Sequence, residues 1–220
     1  MVESRRPLRG TQRRLVIMAK APRAGAVKTR LANDVGHVAA TAFYRKSLCN
    51  VVGRLARDPR WTTLIAVVPD VSLCTPVWPT CDGRVAQGPG DLGVRMQRVF
   101  DGLPPGPVVI IGTDIPEIDA NHVASAFKAL GAHDVVLGPG CDGGYWLVGL
   151  RRTPRVLAIF NGVRWSSPHT LSDTLANLAG ATVAQLETLE DVDDGASFHA
   201  LGHAGSRLVL PAGSMSLTRD

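Results

Sequence analysis

The sequence predicts an α/β fold, a three-layer sandwich around a mixed, mainly parallel sheet. Two observations carry this. The β-type segments are continuous apolar runs rather than alternating ones, as strands buried on both faces require. Helical-period segments separate most of them, the pattern of an open sheet with helices on both sides. With 220 residues, 45% hydrophobic and 20% charged, the chain can bury one sizeable core. That composition excludes global disorder, a small disulfide scaffold and a collagen-like chain.

Residues 15–19, Leu-Val-Ile-Met-Ala, form the first predicted strand. A loop follows over 20–30, and residues 36–57 read as a helix because Val38, Ala42, Leu48, Val52 and Leu55 recur at helical spacing until Asp58-Pro59. The β-branched stretch 62–68 is the second strand. Residues 71–90 are irregular, with one short strand near 84–87. A helix is expected over 92–101, a strand over 107–111, and a helix over 118–130 with Asp119 as a cap. Strands follow at 134–138 and 144–150. Ser167-Pro168 has the cap and first-turn chemistry to open a helix running to 178. Residues 181–189 read as an edge strand and 193–204 as a final helix. No internal repeat or interdomain linker is visible. Residues 1–13 read as a disordered basic tail, 14–212 as one domain and 213–220 as a frayed end.

The formal charge is +5, which by itself suggests a nucleic-acid or membrane surface. Its distribution argues against both: five arginines against Glu3 put +4 in residues 1–14 and leave +1 for the rest. No apolar run approaches the roughly 20 residues of a membrane span, and the run after the basic start is too short for a signal-peptide core. Cys49, Cys74, Cys81 and Cys141 form no CxxC pair, and a reduced, cytoplasmic setting is expected. His199 and His203 are four apart but lack the glutamate of a zincin helix.

In an open α/β sheet, ligands bind beyond the carboxyl ends of the strands. Unusual sequence stands at several such places. Lys20-Ala-Pro-Arg-Ala-Gly-Ala-Val-Lys-Thr-Arg30 follows the first strand and carries Lys20, Arg23, Lys28 and Arg30 around Gly25. A glycine loop can bring backbone N–H groups to phosphate oxygens, and the cations complement them. It is not a Walker A loop, and a decorated surface loop is the plain alternative. Gly112-Thr-Asp114-Ile-Pro116 places a carboxylate just past a buried strand, where it can hold a divalent ion against a diphosphate or simply make a turn. Gly138-Pro-Gly-Cys-Asp142-Gly-Gly-Tyr-Trp146 is either a close backbone approach to a ligand or a long hairpin turn. Asp193 in Glu190-Asp-Val-Asp193 either chelates or caps the last helix. Arg95, near the start of the helix over 92–101, faces a nucleotide or only decorates that helix.

Taken together, Lys20-x-Pro-x-x-Gly-x-Val-Lys-Thr-Arg-Leu31, Gly112-Thr-Asp-x-Pro116, Gly138-Pro-x-x-Asp-Gly-Gly-Tyr-x-Leu-x-Gly-Leu150, the Phe160-x-Gly-Val-x-Trp segment and Leu189-Glu-Asp-Val-Asp193 resemble a bacterial DUF2064-type glycosyltransferase family. That family falls in the GT-A, or nucleotide-diphospho-sugar transferase, superfamily and is related to phospholactate guanylyltransferase. The resemblance runs from about residue 15 to 198. It implies that residues 14–212 are a nucleotide-binding transferase domain, with Lys20, Gly25, Lys28, Thr29, Arg30 and Arg95 on the nucleotide. It further implies Mg²⁺ or Mn²⁺ on Asp114, Asp142 and Asp193, with Lys28, Asp114 and Asp142 carrying the chemistry.

Glycosyltransferases of this superfamily often show Asp-x-Asp at the metal strand, whereas this chain has Asp114-Ile-Pro116, closer to the nucleotidyltransferase branch. Two reactions therefore stay open. One is glycosyl transfer from a nucleotide sugar to a small-molecule acceptor. The other is nucleotidylyl transfer from an NTP with release of pyrophosphate. A non-catalytic nucleotide-binding scaffold is a third reading. Oligomeric state is open, a homodimer included.

Overall fold

Leu15, Val16 and Ile17 are all fully excluded from solvent, which requires a strand covered on both faces. That strand, β2 (Arg14–Lys20), is central in a computed structural model that describes residues 2–4, 12–115, 117–153 and 155–190. It pairs in parallel with β3 (Thr62–Val68) on one side and β5 (Val108–Ile111) on the other. Beyond β3 lies parallel β4 (Gly83–Ala86). At that edge β1 (Val2–Ser4) adds an antiparallel strand, within the stretch 1–13 that the sequence predicts as a disordered tail. Beyond β5 comes β7 (Tyr145–Leu150), antiparallel to both β5 and β6 (Val135–Pro139), and then β8 (Val183–Gln185), parallel to β6. The order is β1-β4-β3-β2-β5-β7-β6-β8.

Alternation along β2 supplies two cores. Leu15, Ile17 and Ala19 pack with Leu48, Val51 and Val52 of α2 (His37–Leu55) and with Val123, Ala126 and Phe127 of α4 (Ala120–Ala129). Val16 faces the other way, onto Met96, Val99 and Phe100 of α3 (Leu92–Gly102), with Leu171 and Leu175 of α5 (Thr170–Ala176) against the same core. The result is the expected three-layer α/β sandwich. No helix among the described residues is long and apolar enough to cross a membrane.

Two local readings are corrected. The expected loop over 20–30 ends at Lys28, and a short helix, α1 (Thr29–Val35), follows it, packing against α2 through Leu31, Ala32 and Ala40. Gly36, with φ 85°, breaks α1 from α2. Asp119 does cap α4, accepting from the N–H groups of Asn121 and His122. Ser167-Pro168 does not open α5, which begins at Thr170. The Ser167 hydroxyl accepts from His169 N–H in a turn that precedes the helix. The expected helix over 193–204, His199, His203 and the end at 213–220 lie outside the described residues.

Asp134 joins the far side of the sheet. Its Oδ2 accepts from the N–H and hydroxyl of Thr182 at 3.0 and 2.8 Å, and Arg151 bonds its Oδ1. The Thr182 hydrogen bonds and Arg151 hold the carboxyl below its ordinary range. A depressed folded-state pKa contributes stability that is complete above the unfolded value of about 3.9 and is lost as pH falls through the folded value. Asp134→Asn should therefore lower the thermal midpoint at about pH 5, and the difference between the two proteins should shrink as pH falls and the wild-type carboxyl takes up its proton. Parallel melting curves for the two proteins across that range check this.

Candidate active site

The strand order creates a switch point. The chain leaves β2 toward β3 and β4, then returns to place β5 on the opposite side of β2. Loops after β2 and β5 therefore diverge and leave a crevice at the carboxyl ends of these strands. A cavity of about 660 Å³ occupies it, and Lys20, Lys28, Thr29, Arg30, Arg95 and Asp114 all line it.

The walls are held from beneath. The buried Tyr44 of α2 accepts from Lys20 N–H at 2.8 Å and donates to Lys20 C=O at 3.0 Å, fixing the chain as it leaves β2. Burial pushes the Tyr44 phenol up to about 12, opposed by its hydrogen bonds to Lys20 and Thr113 and reinforced by the charge of Asp114. Ser47, one helical turn on, donates to Thr113 C=O at 2.7 Å and anchors the loop after β5. Gln87, at the end of β4, donates to the carbonyls of Ala66 and Ala19. These residues escaped the sequence reading because helix and strand periodicity marks them only as core.

Lys28 and Asp114 meet in this crevice. Lys28 Nζ lies 2.9 Å from Asp114 Oδ1, with the lysine side chain 5% exposed and the aspartate 48% exposed. Thr113 Oγ1 also reaches Asp114 Oδ1 at 3.5 Å. Lys28 has φ 47°, a left-handed backbone that lysine rarely adopts. Ser166, which also lines the cavity, has φ 53°. Such conformations cost about 1–3 kcal/mol and cluster at functional sites. Arg95 stands in the first turn of α3, its Nε buried without a hydrogen-bond partner.

Asp142 occupies a neighbouring position. Because β6 runs parallel to β5, the turn between β6 and β7 emerges at the same end of the sheet. Asp142 Oδ1 accepts from Gly144 N–H at 2.8 Å, closing that turn. A second cavity of about 270 Å³ lies there, lined by Asp142 together with Ile118, Trp165 and Thr170. Asp114, Tyr145, Trp146 and Ser166 line both cavities. Burial raises the pKa of Tyr145.

Gly25 and Arg23 do not line the crevice. Gly25 has φ 76° and serves the turn closed by Ala26 N–H on Arg23 C=O. Asp193 lies outside the described residues. Among the described residues no three His, Cys, Asp or Glu side chains gather as a metal cluster. The carboxylates lining the two cavities are Asp114, Asp142 and Asp91, the last of which caps α3 by accepting from Val94 N–H.

A crystal structure from Desulfovibrio desulfuricans G20, provisionally assigned as a nucleotide-diphospho-sugar transferase, superposes with TM-score 0.80 at 29% identity, covering 90% of this chain and 89% of that one. CMP:2-keto-3-deoxy-manno-octonic acid synthetase complexed with CTP gives TM-score 0.56 at 13% identity, over 90% and 100% of the two chains. Glucosyl-3-phosphoglycerate synthase from Mycobacterium tuberculosis, in complex with Mn²⁺, UDP and glucosyl-3-phosphoglycerate, gives 0.50 at 11%, over 96% and 84%. The last two share the fold alone. No curated protein matches the chain. The chain is thus a nucleotide-dependent transferase, with a fold similar to the nucleotide-diphospho-sugar transferase structures. The chain belongs to the bacterial family described as "uncharacterized protein conserved in bacteria", DUF2064, whose model matches residues 51–167.

Proposed function

We propose that residues 14–212 form a metal-dependent glycosyltransferase that takes a nucleotide-diphospho-sugar as donor and a small molecule as acceptor. The observation that carries this is the Lys28–Asp114 ion pair in the crevice at the switch point. It brings the phosphate-type loop after β2 against the metal-type carboxylate after β5. Lys20, Arg30 and Arg95 add positive charge to the same cavity, and the buried Arg95 Nε without a partner suits an anionic ligand. The Mn²⁺ and UDP held by the Mycobacterium synthase, though that protein is related by fold alone, agree with this choice of ligands.

The donor set fits a divalent cation. Mg²⁺ and Mn²⁺ sites on nucleotides use one or two carboxylates and complete their shell with phosphate oxygens and water. Asp114, half exposed, would hold the ion, which leaves Asp142 on the neighbouring cavity for the acceptor. When bound, the cation supplies charge neutralisation to the diphosphate. Lys28 and Arg30 stabilise the negative charge that grows on the leaving group. The acceptor oxygen bonds to the anomeric carbon, and the bond from that carbon to the phosphate oxygen breaks with its electron pair leaving on the nucleotide diphosphate. Asp142 takes the acceptor's proton.

Nucleotidylyl transfer is the second reading, favoured by the single aspartate in Asp114-Ile-Pro116. Incubation with Mn²⁺ and labelled nucleotide sugars or NTPs separates the two. Nucleoside diphosphate released with sugar transferred supports glycosyl transfer. Acceptor-dependent pyrophosphate release overturns it, and nucleotide binding without turnover would leave a scaffold. Lys28→Met should weaken nucleotide affinity by about tenfold or more, since a charge-assisted contact to phosphate contributes about 1.5–3 kcal/mol. Calorimetric titration with UDP and Mn²⁺ checks this, and unchanged affinity would remove Lys28 from the phosphate site.

A further inference from the structure

The two adjoining cavities differ sharply in charge. The larger carries Lys20, Lys28, Arg30 and Arg95 against Asp91 and Asp114. The smaller has no lysine or arginine among its described lining residues, and its charged groups are the carboxylates of Asp114 and Asp142. Trp146, Trp165 and Tyr145 supply ring surface, and Ile115 and Ile118 complete an apolar wall. The Thr170 hydroxyl is already committed to the carbonyls of Arg164 and Ser167 at 2.7 and 2.9 Å.

We infer that the smaller cavity is the acceptor subsite and that it selects an uncharged, hydroxyl-bearing ring compound of about monosaccharide size. This rests on the donor reading above, which fills the larger cavity with the nucleotide. Three features argue for the class. A phosphate or carboxylate in this pocket would find no lysine or arginine among the described lining residues to pair with, since Lys28 is already engaged by Asp114, and it would be repelled by Asp142. Aromatic faces pack against the C–H faces of a sugar ring while Asp142, exposed beside them, accepts from a hydroxyl. The volume of about 270 Å³ is near the lower bound of about 300 Å³ for small-molecule pockets, so it holds one ring rather than an extended chain.

An ammonium-bearing acceptor is less suited. Lys28 already matches the charge of Asp114 at 2.9 Å, and Asp142 Oδ1 is engaged by Gly144 N–H. The wall shared through Asp114, Tyr145, Trp146 and Ser166 opens the subsite onto the donor cavity. Ser166 holds its left-handed backbone at that junction.

Trp146 and Trp165 make the subsite its own reporter. Tryptophan emission of the full chain, with UDP and Mn²⁺ present, should change on titration with methyl α-glucoside or myo-inositol. It should respond at least about tenfold more weakly to glucose 6-phosphate, 3-phosphoglycerate or glucosamine. Trp165 lines the smaller cavity only, so Trp165→Leu should weaken the neutral ligands about tenfold and leave UDP affinity unchanged. Trp165→Phe, which keeps a ring, should restore most of the response and separates binding from misfolding. Equal or tighter binding of a phosphorylated, carboxylated or amino compound overturns the inference, as does no response to any neutral compound while UDP still binds. Failure of UDP to bind overturns the donor reading instead, and the inference falls with it.

Discussion

Asp114→Asn should give a folded protein in which transfer slows by about a thousandfold. Aspartate is the residue of the ion pair most open to solvent, and Asn keeps its shape, so the turn after β5 should persist on its anchor from Ser47 to Thr113. What is lost is the negative charge facing Lys28 and, under the proposed reading, the ligand for the divalent ion. Removing one preorganised group that stabilises transition-state charge costs about 10²–10³ in rate, and loss of an ion's carboxylate adds to this. Initial rates with saturating Mn²⁺, alongside a melting curve, measure the effect. A variant that melts normally and turns over at the wild-type rate would exclude Asp114 from the chemistry.

Gly143→Ala should have the second large effect, and through a different cause. Gly143 has φ +82°, and a Cβ built there falls 2.3 Å from the carbonyl oxygen of Pro168 and 2.6 Å from its Cα. Its own carbonyl accepts from Leu171 N–H at 2.9 Å. Alanine in the left-handed region costs about 1–2 kcal/mol, and the backbone contact forces the 166–171 segment away. The thermal midpoint should fall by roughly 4 °C or more for about 2 kcal/mol in a chain of this size. Transfer should fall further than stability predicts, because Ser166, Thr170 and Asp142 line the smaller cavity around this contact. UDP affinity should fall less than transfer, since Ser166 is the only residue of the displaced segment that lines the larger cavity. Equal losses in nucleotide binding and transfer would place the turn's role in general folding alone.

The two predictions also mark where sequence reading succeeds and where it stops. The buried strands β2, β3, β5, β6 and β7 were legible because a run such as Val108–Ile111 has the same meaning wherever it stands: four consecutive residues, all buried. Asp119 was legible as a cap because its partners are the next few N–H groups. The short helix α1 was not, because Thr29–Val35 has no side-chain cap bond and only a small apolar face, and its position depends on packing against α2. Ser167-Pro168 has capping chemistry, but the segment is committed to a turn against Asp142-Gly-Gly144 before α5 starts.

For the site, the candidate residues at strand ends were visible one by one, each with a bland alternative beside it. Lys20, Lys28, Arg30 and Asp114 stood out by type and by position after apolar runs. Tyr44, Ser47 and Gln87 did not, since their contribution is a hydrogen bond to a distant backbone that no local window contains. Gly25 was conspicuous by type yet stands clear of the crevice, because a glycine can serve a turn as readily as a ligand.

The sequence by itself determined the α/β class, the strands and most helices, and the set of charged groups available at the carboxyl ends. These follow from local apolar periodicity and short-range capping, which do not depend on what the rest of the chain does. Which groups meet was decided only by the tertiary structure. Strand order put β5 beside β2 and so brought Asp114 to Lys28. With β7 antiparallel between them, β6 runs parallel to β5, which carried Asp142 to the same end of the sheet, onto an adjoining, smaller cavity without lysine or arginine among its described walls. Pairings between distant segments are fixed by the packing of both sheet faces at once, and no stretch of the chain contains that information alone.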